Sequence, residues 1–263
     1  MKQLLNTNKM YPKKSLGQNF IFDKNFINKL GEYVNSDPNY SIIEIGPGKG
    51  ALTDNLVKKE FKKIYLIEKD EILSNNLAEK YAHLKNVKVM NKDALLVDYS
   101  FFSKIKNVII VGNLPFNVST KMLFNWLEIK NWPPFYEKMI LMFQKEVACR
   151  VIAKPNNGRY SRISVASQSR CSVKKLLDAP ASIFYPQPKV DGVVLEFIPI
   201  CDYKNVNFSN LQKILRLSFN HRRKKIKTTL KKHRKILKDL NLDDNLRPEN
   251  LSVDEYCKIA KLI

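Results

Sequence analysis

The chain has 263 residues, enough for one sizeable core and a small appendage, since single domains usually run to about 100–200 residues. Its 44% hydrophobic and 27% charged residues describe a globular protein and argue against a disordered one, and no apolar run approaches the roughly 18 residues of a membrane span. Lys and Arg number 46 against 25 Asp and Glu, and this formal charge of +21 points to a polyanionic partner, because phosphate neutralisation with counterion release dominates nucleic-acid affinity.

A lysine-rich composition of the kind an A/T-rich genome produces accounts for part of that excess. The first 14 residues carry lysines but lack the apolar run of a secretory signal, so a cytoplasmic protein with no membrane partner is expected. Cys149, Cys171, Cys201 and Cys257 lie far apart with no C-x-x-C spacing, and His83, His221 and His233 stand near no cysteine pair. Reduced thiols and no metal are the expectation.

From Ser41 onward, strand candidates at 42–45, 64–68, 87–90, 108–112 and 138–143 alternate with amphipathic segments at 52–59, 71–81, 120–129 and 145–153. That pattern builds a mostly parallel sheet with crossover helices. Two further strand candidates, 171–177 and 190–198, are joined by a segment containing Pro180, Pro186 and Pro188. Such a connection suits an extended loop between antiparallel strands at one sheet edge. After Pro199 the residues at 208–219, 222–240 and 252–262 read as three helices. The expected architecture is an α/β, Rossmann-like fold with a seven-stranded, mostly parallel sheet and a small all-helical C-terminal domain, divided into residues 1–200 and 201–263.

Glu44-Ile45-Gly46-Pro47-Gly48-Lys49-Gly50 sits between the first of these strands and a helix. Glycines there permit positive φ and close backbone approach to a ligand. The G-x-G-x-G spacing differs from the G-x-G-x-x-G of dinucleotide binders, and Pro47 removes one amide from the turn, which favours a ligand without a pyrophosphate: S-adenosylmethionine (SAM). Glu68 ends the second strand about 20 residues further on, where Rossmann-like folds place an acid on ribose hydroxyls. Asp93 follows the third strand, placed to accept from an adenine amino group. Gly46, Gly48, Glu68 and Asp93 thus converge on one crevice, and the fold expected is that of a SAM-dependent methyltransferase.

The fourth strand ends in Gly112-Asn113-Leu114-Pro115-Phe116, at the carboxyl edge where open α/β sheets do chemistry. The lone pair of adenine N6 is delocalised into the ring, so the nitrogen is a poor nucleophile. Acceptors on both of its N–H groups, the Asn113 side-chain oxygen and the Leu114 carbonyl, pull it toward tetrahedral geometry. Pro115 stiffens the turn that aims them, and Phe116 stacks on the extruded base. The product ammonium loses its proton to solvent, so no histidine base is nominated.

With these motifs in place the sequence resembles the KsgA family of ribosomal RNA small-subunit adenine dimethyltransferases. The resemblance rests on Lys14-Ser15-Leu16-Gly17-Gln18-Asn19-Phe20, on Glu44 to Gly50 and Gly112 to Ser119, and on Phe143 to Val147, Tyr185 to Val194 and Phe219 to Lys227. It implies that Asn19 and Ile21 contact SAM alongside Gly46, Glu68, Asp93 and Asn113, with the N-terminal segment folded over the cofactor. It also implies transfer of two methyl groups to each of two adjacent adenines in a hairpin near the 3′ end of small-subunit (16S) RNA, late in assembly. The commonest form of the family's catalytic motif has tyrosine where Phe116 stands, so stacking is kept and any phenol hydrogen bond is lost.

Between positions 222 and 235 stand nine Lys or Arg residues, with Ile226 and Leu230 spaced to seat one face of a helix. Arg222, Arg223, Lys224 and Lys225 are the candidate phosphate contacts to an immature small subunit, approached by a monomer. Rival readings are a large-subunit (23S) adenine methyltransferase of the antibiotic-resistance type, disfavoured by the segment Phe219 to Lys227, and a non-catalytic nucleic-acid binder on the same scaffold, such as a mitochondrial transcription factor, disfavoured by the intact motifs. A DNA adenine methyltransferase usually carries proline where Leu114 stands.

Overall fold

The computed structural model describes residues 12–13 and 16–263, so Lys14 and Ser15 of the N-terminal motif lie outside the described residues. A two-residue strand β1 (Phe20–Ile21) and a helix α1 (Lys24–Glu32) precede the main sheet. Sequence periodicity did not suggest either. Asp23 starts α1 by accepting from the Phe26 amide at 2.8 Å, and Ile27 and Leu30 bury its inner face.

Five parallel strands follow: β2 (Asp37–Ile45), β3 (Phe61–Glu68), β4 (Val87–Asn91), β5 (Val108–Asn113) and β6 (Tyr136–Gln144). Their connections are α2 (Thr53–Leu56), α3 (Glu71–Lys80), a 3-10 turn at Tyr99–Lys104 and α4 (Ser119–Leu127). After β6 come α5 (Lys145–Val151), α6 (Arg162–Gln168), β7 (Cys171–Ala179), the short β8 (Phe184–Tyr185) and β9 (Gly192–Pro199). The sheet order is β4-β3-β2-β5-β6-β9-β7, with the last two strands antiparallel, as the proline-rich connection implied. α2 is shorter than the expected 52–59, and α6 is a helix that the sequence reading missed.

Runs such as Ile42-Ile43-Glu44-Ile45 and Val108 to Val111 are buried on both faces, as strands inside a parallel sheet require. Alternate side chains feed two separate cores: Ile43, Ile45 and Ile110 join Trp126 and Leu141 on one side, while Ile42, Ile64 and Ile109 join Leu30, Leu56 and Leu77 on the other. The strand order reverses between β2 and β5. Register sets Ile45 opposite Ile67 on β3 and opposite Gly112 on β5, so the ends of three strands meet at this switch point.

The C-terminal region comprises α7 (Phe208–Phe219), α8 (Ile226–Thr229), α9 (Arg234–Asp239) and α10 (Val253–Lys261). The single helix expected over 222–240 is instead an exposed turn, α8, a 3-10 turn at Lys231–His233 and α9. The incoming segment 243–246 breaks it: the Ile226 amide donates to the Leu246 carbonyl (2.8 Å) and the Lys227 amide to Asp244 (3.0 Å), which fixes a new helix start. Ile226 and Leu230 are nonetheless fully buried, in the same apolar cluster as Ile110 and Phe197. The buried Arg170 guanidinium lies between the rings of Trp132 (4.6 Å) and Phe208 (4.9 Å), and the Trp132 indole donates to the Ile200 carbonyl at 2.6 Å. These contacts hold the start of the helical region against the sheet. No described helix is long and apolar enough to cross a membrane.

Gly112 transmits sheet packing to the motif that follows it. A Cβ there would lie 2.9 Å from the Ile45 carbonyl oxygen and 3.1 Å from the Ile45 Cβ. Gly112→Ala should therefore push β5 off β2 and cost about 1–3 kcal/mol, as overpacking does, read as a lower urea midpoint with an unchanged m-value. An unaltered midpoint would mean that the strands separate without penalty.

Candidate active site

The turn after β2 places Gly46, Gly48 and Gly50 in the left-handed region, with φ of +64°, +59° and +82°. Space as well as dihedral demands glycine: a Cβ on Gly48 would sit 2.9 Å from the Phe20 ring, and one on Gly50 2.7 Å from the Tyr81 hydroxyl. The Gly48 amide donates to Glu68 Oε2 (3.0 Å) and the Asp70 amide to Oε1 (2.9 Å). Each carboxylate oxygen keeps a lone pair for a further donor, such as a hydroxyl. Burial raises the Glu68 carboxyl above its usual range, against the pull of those amides.

Asp93 accepts from the Leu95 amide (2.9 Å) and pairs with Lys69 (2.9 Å). Burial alone would raise its carboxyl, but Lys69 and the Leu95 amide together hold it below the ordinary value. At the end of β5 the Asn113 Nδ2 donates to the backbone carbonyl of Asn19 at 3.0 Å, which turns Oδ1 away from that contact as the free acceptor. The Leu114 side chain is buried, and no described residue donates to its carbonyl. Pro115 accepts from the Val118 and Ser119 amides at 3.0 Å, closing the turn into α4, and Phe116 is half-buried beside it.

The N-terminal segment crosses above these strand ends and is fastened at three places. Lys13 (2.9 Å) and Gln18 (3.0 Å) both reach Asp70 Oδ2. β1 pairs antiparallel with β8, Phe20 opposite Tyr185 and Ile21 opposite Phe184. Asn113 holds the Asn19 carbonyl. Asp70 also caps α3 through the Ile72 amide (3.0 Å), so one side chain both starts that helix and holds the strap.

Asn19, Ile21, Gly46, Gly48, Glu68, Asp93 and Asn113 to Phe116 all line one cavity of about 550 Å³, within the range of small-molecule sites. The residues fit a SAM-sized ligand: backbone unobstructed by side chains at the glycines, a buried acid with spare lone pairs, and an apolar cover. Phe22, Leu95 and Tyr185 line it as well and were not among the candidate site residues. Among the described residues no cluster of His, Cys, Asp or Glu could hold a metal ion.

The basic turn lies elsewhere. Arg222 pairs with Glu249 (2.8 Å) and donates to the Gly158 carbonyl (2.8 Å), so it ties the turn down. Lys225 donates to Asn245 Oδ1 at 3.2 Å. Arg223 and Lys224 are exposed and have no side-chain partner among the described residues.

Glu44, beneath the glycine turn, is 3% exposed and accepts from Thr53 Oγ1 at 2.7 Å. Burial pushes its carboxyl from 4.5 up to about 8, with Glu68 and Asp54 adding to the rise. A raised folded-state value means stability that is full below the unfolded value and lost as pH rises through the folded one. The ligand-free protein should therefore gain on Glu44→Gln progressively between about pH 4.5 and 8, with a plateau above. Urea unfolding across that window checks it, and a pH-independent difference would contradict the shift.

Comparison with known proteins agrees with this geometry. Residues 10–263 match the family described as ribosomal RNA adenine dimethylase. A "Ribosomal RNA small subunit methyltransferase A" of Ehrlichia canis is 40% identical, covering 99% of this chain and all of its own length. That of Pelagibacter ubique is 39% identical over 95% of each chain. Among solved structures, a dimethyladenosine transferase from Plasmodium falciparum superposes with a TM-score of 0.80 at 23% identity, covering 91% of this chain and 95% of its own. The 23S rRNA methyltransferase ErmE gives 0.67 at 20% identity, covering 92% and 98%. These two share the Rossmann-like methyltransferase fold, and the family match over residues 10–263, with relatives 39–40% identical over nearly the whole chain, shows that the chain belongs to the ribosomal RNA adenine dimethylase family.

Proposed function

We propose that the chain is a SAM-dependent dimethyltransferase that modifies N6 of two adjacent adenines in a hairpin near the 3′ end of small-subunit rRNA. It acts as a cytoplasmic monomer on the immature small subunit. Residues 1–200 form the catalytic domain and 201–263 a helical domain that offers cations to RNA. The observation that carries this reading is the Asn113 amide, held by the Asn19 carbonyl so that its oxygen remains an acceptor.

Gly46, Gly48, Glu68 and Asp93 would hold the cofactor with Asn19 and Ile21 over it, and SAM bound there supplies an electrophilic methyl group. Asn113 Oδ1 and the Leu114 carbonyl accept the two N6–H bonds and so concentrate the lone pair on the nitrogen. Phe116 stacks on the adenine, and the cavity wall fixes the distance and line of approach. The proton on the alkylated nitrogen passes to solvent. A second methylation needs the monomethylated base to re-enter with its one remaining N–H, which either acceptor can take.

Incubation with labelled SAM and separate unmethylated subunits tests the whole reading. N6,N6-dimethyladenosine confined to small-subunit RNA is expected. Label in large-subunit RNA would assign the chain to the other substrate, and RNA binding without label would make it a non-catalytic binder. Asn113→Ala should lower kcat by about a hundredfold or more, with SAM affinity changing far less; turnover that survives would sink the acceptor role. Replacing Arg223 and Lys224 by Glu should weaken RNA binding and flatten the slope of log K against log salt by about 0.7–0.9 per lost phosphate contact. Arg222→Glu should in addition lower stability, because its Glu249 pair is lost.

A further inference from the structure

Apolar residues exposed singly on a surface carry no message, but two large rings exposed on the wall of one ligand cavity do. Phe22 and Tyr185 are each 60% exposed, and both line the cavity that Asn113 and Phe116 enter. The pairing of β1 with β8 explains their placement. Ile21 and its partner Phe184 turn inward to the core under β2 and β5, and Phe184 is only 2% exposed. By strand alternation Phe20 and Tyr185 take the opposite face, and Phe22, whose amide donates to the Ile183 carbonyl at 3.1 Å, continues it.

The innermost ring of this face is already used. Phe20 lies against Gly48, with the Lys49 ammonium 5.2 Å from its centroid. The outer two are unused: among the described residues neither Phe22 nor Tyr185 packs against another aromatic ring or beneath a cation. The backbone that carries them is anchored, because the strap bearing Phe22 is tied to Asp70, to β8 and to Asn113. Lys49 lines the same cavity, and Lys24 and Lys189 follow Phe22 and Tyr185 by two and four residues; all three are exposed and have no carboxylate partner among the described residues. The surroundings suit a phosphate backbone.

We propose that Phe22 and Tyr185, both exposed on the wall of the cofactor cavity, form a stacking platform for the unpaired base next to the adenine being methylated. The inference rests on the function proposed above and adds a contact to it. Extruding one base from a helical stack strips its neighbour of a stacking partner, and that neighbour presents a π-face to water. A rigid aromatic surface beside a cationic edge replaces the lost contact without regard to base identity. Because the two target adenines adjoin, the platform would hold one while the other occupies the catalytic pocket, so that the pair is presented in turn.

The test uses a hairpin RNA with two adjacent adenines and 2-aminopurine in place of one of them, whose fluorescence is quenched on stacking. Variants are Phe22→Leu, Tyr185→Leu, both together, and Tyr185→Phe. Leucine keeps the apolar bulk without the π-face, and unchanged melting temperatures establish that the strap is intact. Wild type and Tyr185→Phe should quench the probe on binding, and the double leucine variant should not. Its KM for hairpin RNA should rise about tenfold per lost ring, with kcat on saturating RNA and the SAM Kd near wild type. Quenching and KM preserved in the double variant would overturn the platform, as would a matching loss of SAM affinity, which would assign the rings to the cofactor. Failure of the wild type to methylate any RNA adenine would overturn the proposed function, while the quenching arm, which needs binding only, would still decide the platform.

Discussion

A primary amide presents nearly the same shape after a half-turn about its terminal bond, so it serves as a committed acceptor only if something claims its N–H end. At Asn113 that something is the backbone carbonyl of Asn19, 3.0 Å from Nδ2. A main-chain oxygen can only accept, which removes the ambiguity outright. The orientation of the amide at the end of β5 thereby depends on a segment far from it in sequence. The strap is an element of the site as much as a cover over it.

What positions the strap is legible only in part. The parallel sheet was readable because buried β-branched runs between glycine, asparagine and proline breakers admit few other structures. That Glu68 and Asn113 line one cavity was readable because strand ends at the switch point are where side chains face a crevice. β1 was not, because two residues carry no period and their partners, Phe184 and Tyr185, are about 160 positions away. α6 escaped for the opposite reason. Residues Ile163 to Ser167 are buried on every side, so the helix has no polar face to give it an amphipathic signature.

The segment from 222 to 240 shows where local pattern misleads. Ile226 and Leu230 do occupy one buried face, as their spacing promised, yet a continuous helix would stack like charges at three- and four-residue intervals along the other. The observed break lets residues 243–246 fold back, with Asn245 accepting from Lys225 and Lys227 and Asp244 pairing with Arg234. Charge counting from sequence treated these cations as equivalent. In the fold they divide into those that hold the turn, such as Arg222, and those left facing solvent, such as Arg223 and Lys224, and only the second kind can exchange counterions for phosphates without first breaking a contact.

Asp70 links the two halves of the site. Its amide donates to Glu68 Oε1, its Oδ1 accepts from the first turn of α3, and its Oδ2 takes Gln18 and Lys13 of the strap. Burial alone would raise this carboxyl, but Lys13, Gln18 and the helix amides together keep it low, so the anchor stays charged. A hydroxyl that binds Glu68 therefore meets a carboxylate whose orientation is shared with the residue that fastens the strap, and the strap in turn fixes the Asn113 amide. Coupling of this kind is reciprocal: whatever steadies Glu68 favours the fastened strap, and a fastened strap presents Glu68 and the Asn113 oxygen together. Glu68 and Asn113, which sequence motifs register as separate features on different strands, are parts of one hydrogen-bonded frame.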